Sequence, residues 1–137
     1  MEIFYKQDAI SKLSEILKKY YFCKKVLLLI SNGVKDKYLS LIANELNLAE
    51  SPFKVNDERE DYDLVVAVGG GNICNKAKLY CNEKKLDLIV IPTAPTSPIF
   101  FNDECYKLDF NTIEIIKNQQ AKFAIVDEKI IQTVPLY

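Results

Sequence analysis

A chain of 137 residues, 49% hydrophobic and 27% charged, has the length and composition of one globular domain with its own core. Its net charge of −1, with no basic block, argues against a nucleic-acid partner, whose affinity needs Lys and Arg against phosphates. No apolar run approaches the ~20 residues that span a bilayer, Met1 leads directly into a strand, and histidine is absent, which removes imidazole as metal ligand or acid–base catalyst.

In chain order, Glu2 to Tyr5 reads as a short edge strand. Asp8 is a candidate cap for a helix from Ala9 to about Tyr20, with Ile10, Leu13, Ile16, Leu17 and Tyr20 on one face. Lys25 to Ile30 predicts a buried strand, and Ser31-Asn32-Gly33 a turn. Val34, Tyr38, Leu41, Ile42 and Leu46 then mark one stripe of a helix, and Phe53 to Val55 a brief strand. The acidic run from Asn56 to Asp61 reads as a solvated loop. Leu64 to Val68 and Leu86 to Ile91 are two further buried strands, the second cut off by Pro92. Up to this point strand and helix alternate, so the expected fold is α/β: a three-layer, Rossmann-like, mainly parallel sheet. After Pro95 and Pro98 the pattern changes. Ile99-Phe100-Phe101 and a run near Ile113–Ile116 predict a β-hairpin near residues 99–116, with Asn102 to Asn111 as a long turn. Phe123 to Val126 is the last strand, and Lys129 to Thr133 one helical turn before Pro135.

The chain is organised around Leu64 to Lys78. A valine-rich strand runs into Gly69-Gly70-Gly71, and beyond the glycines Ile73, Cys74, Ala77, Tyr80 and Cys81 recur at helical spacing. A glycine turn between strand and helix presents bare backbone N–H groups at a helix N-terminus, where the dipole favours an anion such as phosphate. A tight turn that binds nothing is the competing reading. Gly69 and Gly71 fit the first two glycines of the common dinucleotide fingerprint, but Cys74 stands at the third, and no Gly-Lys-Ser/Thr makes it a P-loop. Lys76 and Lys78 follow the glycines as phosphate partners or as exposed helix lysines, and Tyr80 reads as packing. Cys23, Cys74, Cys81 and Cys105 show no CxxC spacing, so they read as reduced thiols of a cytoplasmic protein, with a zinc site the lesser alternative.

Gly69-Gly70-Gly71-x-x-x-Asn75-x-Ala77-Lys78 resembles the Gly-Gly-Gly-x-x-x-Asp-x-Ala-Lys pattern of the iron-dependent alcohol dehydrogenase and dehydroquinate synthase superfamily, and Ile91-Pro92-Thr93 resembles its second signature. The chain looks most like the glycerol dehydrogenase and glycerol-1-phosphate dehydrogenase branch. The resemblance covers essentially the whole chain and implies that residues 1–137 form the nucleotide-binding domain, for NAD or NADP. By that resemblance Gly69, Gly70, Gly71 and Asn72 cradle the pyrophosphate, Asn75 stands at the family's Asp, Asn32 lies at the ribose end of the second strand, and Thr93, Thr96 and Ser97 line the pocket.

Several features depart from the family. The metal ligands belong to a second, helical domain expected just after Pro135 and absent here, so neither bound metal nor complete catalysis is expected of this chain. Asn32 replaces an Asp that meets the adenine ribose, which leaves NAD against NADP open. The loop Ala94 to Pro98 lacks the Asp of the glycerol dehydrogenase branch. Asn47 to Asp61 is too short for the usual strand and helix, so part of one sheet face is expected to be bare or covered by a homo-oligomer partner or another chain. Beside the dehydrogenase half stand two alternatives: a non-catalytic module that binds a nucleotide or a protein, and a remnant without ligand.

Overall fold

The computed structural model describes residues 1–94 and 98–132. The elements are β1 (Glu2–Lys6), a 3-10 turn (Ala9–Ser11), α1 (Lys12–Tyr20), β2 (Val26–Ile30), α2 (Asn32–Leu48), β3 (Phe53–Val55), β4 (Leu64–Gly69), α3 (Gly71–Lys84) and β5 (Asp87–Pro92). A second 3-10 turn (Pro98–Phe100), β6 (Cys105–Asp109), β7 (Thr112–Ile116), β8 (Phe123–Asp127) and α4 (Glu128–Gln132) complete it. Six strands form one sheet in the order β1-β8-β5-β4-β2-β3, and every pairing in it is parallel. The α/β, Rossmann-like expectation holds. β2 and β4 bury every residue because helices cover both faces of a parallel sheet.

The two faces follow from the period of two along each strand. Val26, Leu28 and Ile30 of β2, with Leu64, Val66 and Val68 of β4, point toward α1 and α2, where Leu13, Leu17, Ile42 and Leu46 meet them. Leu27, Leu29, Val65, Ala67 and Val90 point the other way, toward Cys74, Ala77 and Cys81 of α3 and toward Ile99 and Phe100. The piece between α2 and β4 holds the short strand β3 but no helix, and Tyr62 near its end, 7% exposed, packs in this second cluster.

Local expectations are corrected in five places. Asp8 does not cap the first helix: it adopts left-handed φ (60°) with no capping bond and pairs with Lys129 at 2.8 Å. The N–H of Ile10 instead donates to Asp127 Oδ2 from β8 at 3.0 Å, because β8 lies beside β1 and delivers a carboxylate to that helix end. Asn32 and Gly33 are not a turn but the first residues of α2, after Ser31 in extended conformation. Tyr20 and Leu41 leave the buried stripes, Tyr20 lying against Phe123 at 5.4 Å while remaining half exposed. Asn56 is not merely solvated: its side-chain amide bonds the N–H (2.9 Å) and the carbonyl (3.0 Å) of Ile30, extending the edge of the sheet. Finally, the hairpin lies inside 99–116 but its first strand is Cys105–Asp109, paired antiparallel with Thr112–Ile116. Ile99 and Phe100 are buried in the 3-10 turn, since they fill the core beneath α3 rather than a strand face.

Candidate functional site

β2 and β4 are neighbours, yet the chain leaves them in opposite directions. α2 leads from β2 to β3 on one side and packs on one face; α3 leads from β4 to β5 on the other side and packs on the other face. Such a point opens a crevice at the carboxyl ends of the strands, where ligands of α/β sheets bind. Ser31, Asn32, the three glycines and Thr93 all stand there. The backbone is tied across the strand ends: Ser31 N–H donates to Val68 O at 3.1 Å, and Thr93 N–H to Gly69 O at 3.0 Å.

The glycines differ in role. Gly69 has φ +150°, and a Cβ there would sit 2.6 Å from Ile73 Cγ2 and 2.7 Å from Ser31 Oγ, so this position is glycine for folding reasons. A Cβ on Gly70 would meet nothing within 4 Å: its outer side is open. α3 begins immediately after it, with no side-chain cap and no acidic residue in its first turn. The result is an uncapped, unopposed helix N-terminus, which favours an anion. Asn72 is exposed at this end, Asn32 is exposed at the start of α2, and Thr93 is buried. Thr96 and Ser97 lie outside the described residues.

Two other polar residues of α3 turn toward the hairpin. Asn75 Nδ2 donates to Tyr106 O at 2.8 Å, and Tyr106 N–H donates to Asn75 Oδ1 at 2.7 Å. Lys78, fully buried, donates to Asn102 O (2.9 Å), Asn102 Oδ1 (3.0 Å) and Glu104 O (2.9 Å). Its ammonium is thus held by the hairpin entry, and burial lowers its pKa. Lys76 lies 3.5 Å from Glu58 on the surface. Tyr80 is packed in the core. Burial pushes the Cys74 thiol up to about 11 and the Cys81 thiol up to about 12, so both are protonated and inert at neutral pH. The feature that sequence reasoning missed is the second wall. A cleft of about 420 Å³ runs between Gly71, Asn72 and Asn75 on one side and Pro98, Ile99, Tyr106 and Leu108 on the other. Its signal was faint: Asn75 lies one helical turn from the glycines, but its hairpin partner has no local marker.

Residues 53–135, more than half of the chain and including the glycine turn, match the model of the iron-containing alcohol dehydrogenase family. The chain belongs to that family. Over 94 residues it is 34% identical to the glycerol-1-phosphate dehydrogenase [NAD(P)+] of Pyrobaculum arsenaticum, covering 63% of this chain and 26% of that protein. This likeness agrees with the glycerol dehydrogenase branch read from the sequence. The fold is shared with NADH-dependent butanol dehydrogenase A of Thermotoga maritima (TM-score 0.86, 16% identity, 98% of this chain and 44% of that one). It is also shared with glycerol dehydrogenase of Schizosaccharomyces pombe (TM-score 0.78, 16% identity, 98% and 39%). This family member therefore spans less than half the length of each of these relatives. Among its described residues no group of three or more Cys, Asp or Glu is arranged to hold a metal, and no helix is long and apolar enough to cross a membrane.

Proposed function

We propose that this chain is the NAD(P)-binding half of a glycerol-dehydrogenase-like oxidoreductase, and that it is catalytically incomplete by itself. The observation that carries the reading is Gly70, open outward at the bare N-terminus of α3, next to Gly69, which the fold itself requires. Backbone N–H groups there would hold the pyrophosphate, Asn72 and Thr93 would flank it, and Asn32 would face the adenosine end. A bound nicotinamide cofactor supplies the hydride acceptor; the residues of this chain bind and orient it. Polarising the alcohol oxygen is metal work in such chemistry. The chain has no histidine to offer, which supports assigning that task to ligands outside it.

Calorimetric titration with NAD and with NADP tests the reading. Binding is expected to be weak, because a cleft between one helix end and a solvent-exposed hairpin leaves the ligand wet, and Gly70→Val is expected to abolish it while the fold stays intact. Binding unaffected by Gly70→Val would move the site elsewhere. Metal-dependent oxidation of glycerol or its phosphate by the purified 137-residue chain would overturn the claim of incompleteness.

A second reading, a module that holds a partner chain, draws on a different observation. One face of the hairpin carries Leu108, Ile113 and Ile115 with Phe110 at its tip, all strongly exposed. Such a patch suits a second copy of this chain or another polypeptide.

A further inference from the structure

The hairpin is not part of the main sheet. β6 and β7 pair only with each other, and Cys105 is the sole residue of either strand that is buried. A two-stranded ribbon is marginal on its own, so its placement rests on what ties it down. Those ties come from one stripe of α3. Asn75, Lys78 and Asn82 follow one another at helical spacing, on one side of the helix. Asn75 holds Tyr106 of β6, Lys78 holds the loop before it, and Asn82 Oδ1 accepts from Gln119 Nε2 after β7 at 2.9 Å.

Of these, Asn75 stands nearest the glycine turn. Both atoms of its amide are engaged by one residue, the N–H and the carbonyl of Tyr106. The side chain acts as a one-residue third strand on the outer edge of β6, as an antiparallel neighbour would. An aspartate, acceptor only when ionised, would receive the Tyr106 N–H but leave the Tyr106 carbonyl without its donor. Asparagine satisfies both. The same Asn75 and Tyr106 line the cleft in front of Gly71 and Asn72.

We propose that Asn75 is a positioning residue: it fixes the hairpin as the second wall of the nucleotide cleft and does not itself serve as a phosphate ligand. The inference rests on the nucleotide-binding reading. Its logic is a population argument. A ligand that touches both walls binds in proportion to the fraction of molecules whose hairpin is in place, whereas a ligand that touches only the helix N-terminus is indifferent to it.

The test compares NAD with inorganic pyrophosphate, by calorimetry, on the wild-type chain, Asn75→Ala and Asn75→Asp, together with amide hydrogen exchange across residues 105–116. Asn75→Ala is expected to speed exchange at Tyr106 and along the hairpin. It should weaken NAD by roughly tenfold, the scale of losing one or two hydrogen bonds, and leave pyrophosphate binding unchanged. Asn75→Asp, keeping the acceptor for Tyr106 N–H, should recover part of both effects. Equal weakening of NAD and pyrophosphate would overturn the proposal by making Asn75 a direct ligand. Unchanged hairpin exchange in Asn75→Ala would overturn it by removing the tie. If the wild-type chain binds neither ligand, the nucleotide reading fails and the positioning role falls with it. In that outcome the exchange data still report separately whether Asn75 holds the hairpin.

Discussion

Gly69 and Gly70 are adjacent and chemically identical, yet they answer to different demands. A side chain at Gly69 meets Ile73 and Ser31 and must adopt a φ of +150°. Gly69→Ala is therefore expected to destabilise the fold by roughly 2–4 kcal/mol, from strain and overpacking together, read as a lower midpoint in urea. Gly70→Ala should leave that midpoint nearly unchanged, since its Cβ would meet open space. Equal losses at the two positions would contradict the difference in their surroundings. Cys81 offers a titration at the same scale. Burial raises its pKa from 9.0 to about 12. Between those values the native state keeps a proton that the unfolded state has lost, so this contribution is complete below pH 9 and declines as pH rises. The slope is about 1.4 kcal/mol per pH unit for one such group. Cys81→Ala should accordingly show a flatter loss of stability above pH 9 than the wild type, whatever its stability at pH 7.

At the scale of elements, the start of the first helix is satisfied by a distant strand rather than by its neighbour in sequence. Asp127 at the end of β8 receives the N–H of Ile10 and, through its other oxygen, the N–H of Lys129 at 2.9 Å. It is 2% exposed. Asp127→Ala is expected to cost about 1–2 kcal/mol, as the loss of a helix cap does. Asp8→Ala removes only a solvated ion pair with Lys129 and should be silent. Urea melts of the two variants decide between them, and a larger loss at Asp8 would restore the local cap. Lys78 makes the same point for the hairpin. Lys78→Met would keep the aliphatic stem but strip the donors from Asn102 and Glu104. A loss of about 1–3 kcal/mol is expected, because three bonds to partly buried acceptors are lost together.

For the whole molecule, two places gather several exposed apolar side chains among the described residues. One is the hairpin, where Phe110 is 97% and Leu108 is 77% exposed. The other is an apolar cleft of about 360 Å³ at the β1 edge, where Ile3 and Tyr5 meet Phe100 and Phe101. Exposed apolar surface of this kind favours association. The isolated chain is expected to self-associate at high concentration, and Phe110→Ser with Leu108→Glu to shift it toward monomer. Light scattering that finds a clean monomer of the wild-type chain at high concentration would refute this.

The alternation of buried strands and amphipathic helices was written into residues 1–92, because period and turn chemistry are local properties. It placed β2, β4, α3 and the parallel sheet without reference to anything distant. The glycine turn was legible for the same reason: a strand, three small residues and a helix lie within one short window. What the sequence could not display depends on which strands become neighbours. Asp127 caps the first helix only because β8 pairs with β1. Asn56 edges the sheet only because β3 lies beside β2. Ile99 and Phe100 look like strand residues by composition, yet they are drawn into a 3-10 turn by the space beneath α3. The hairpin strands, by contrast, gain no core of their own and are placed by Asn75 and Lys78. Hydrophobic period is a property of neighbours along the chain, while a hydrogen bond from Asn75 to a residue thirty-one positions later exists only once tertiary packing has set the helix against the hairpin.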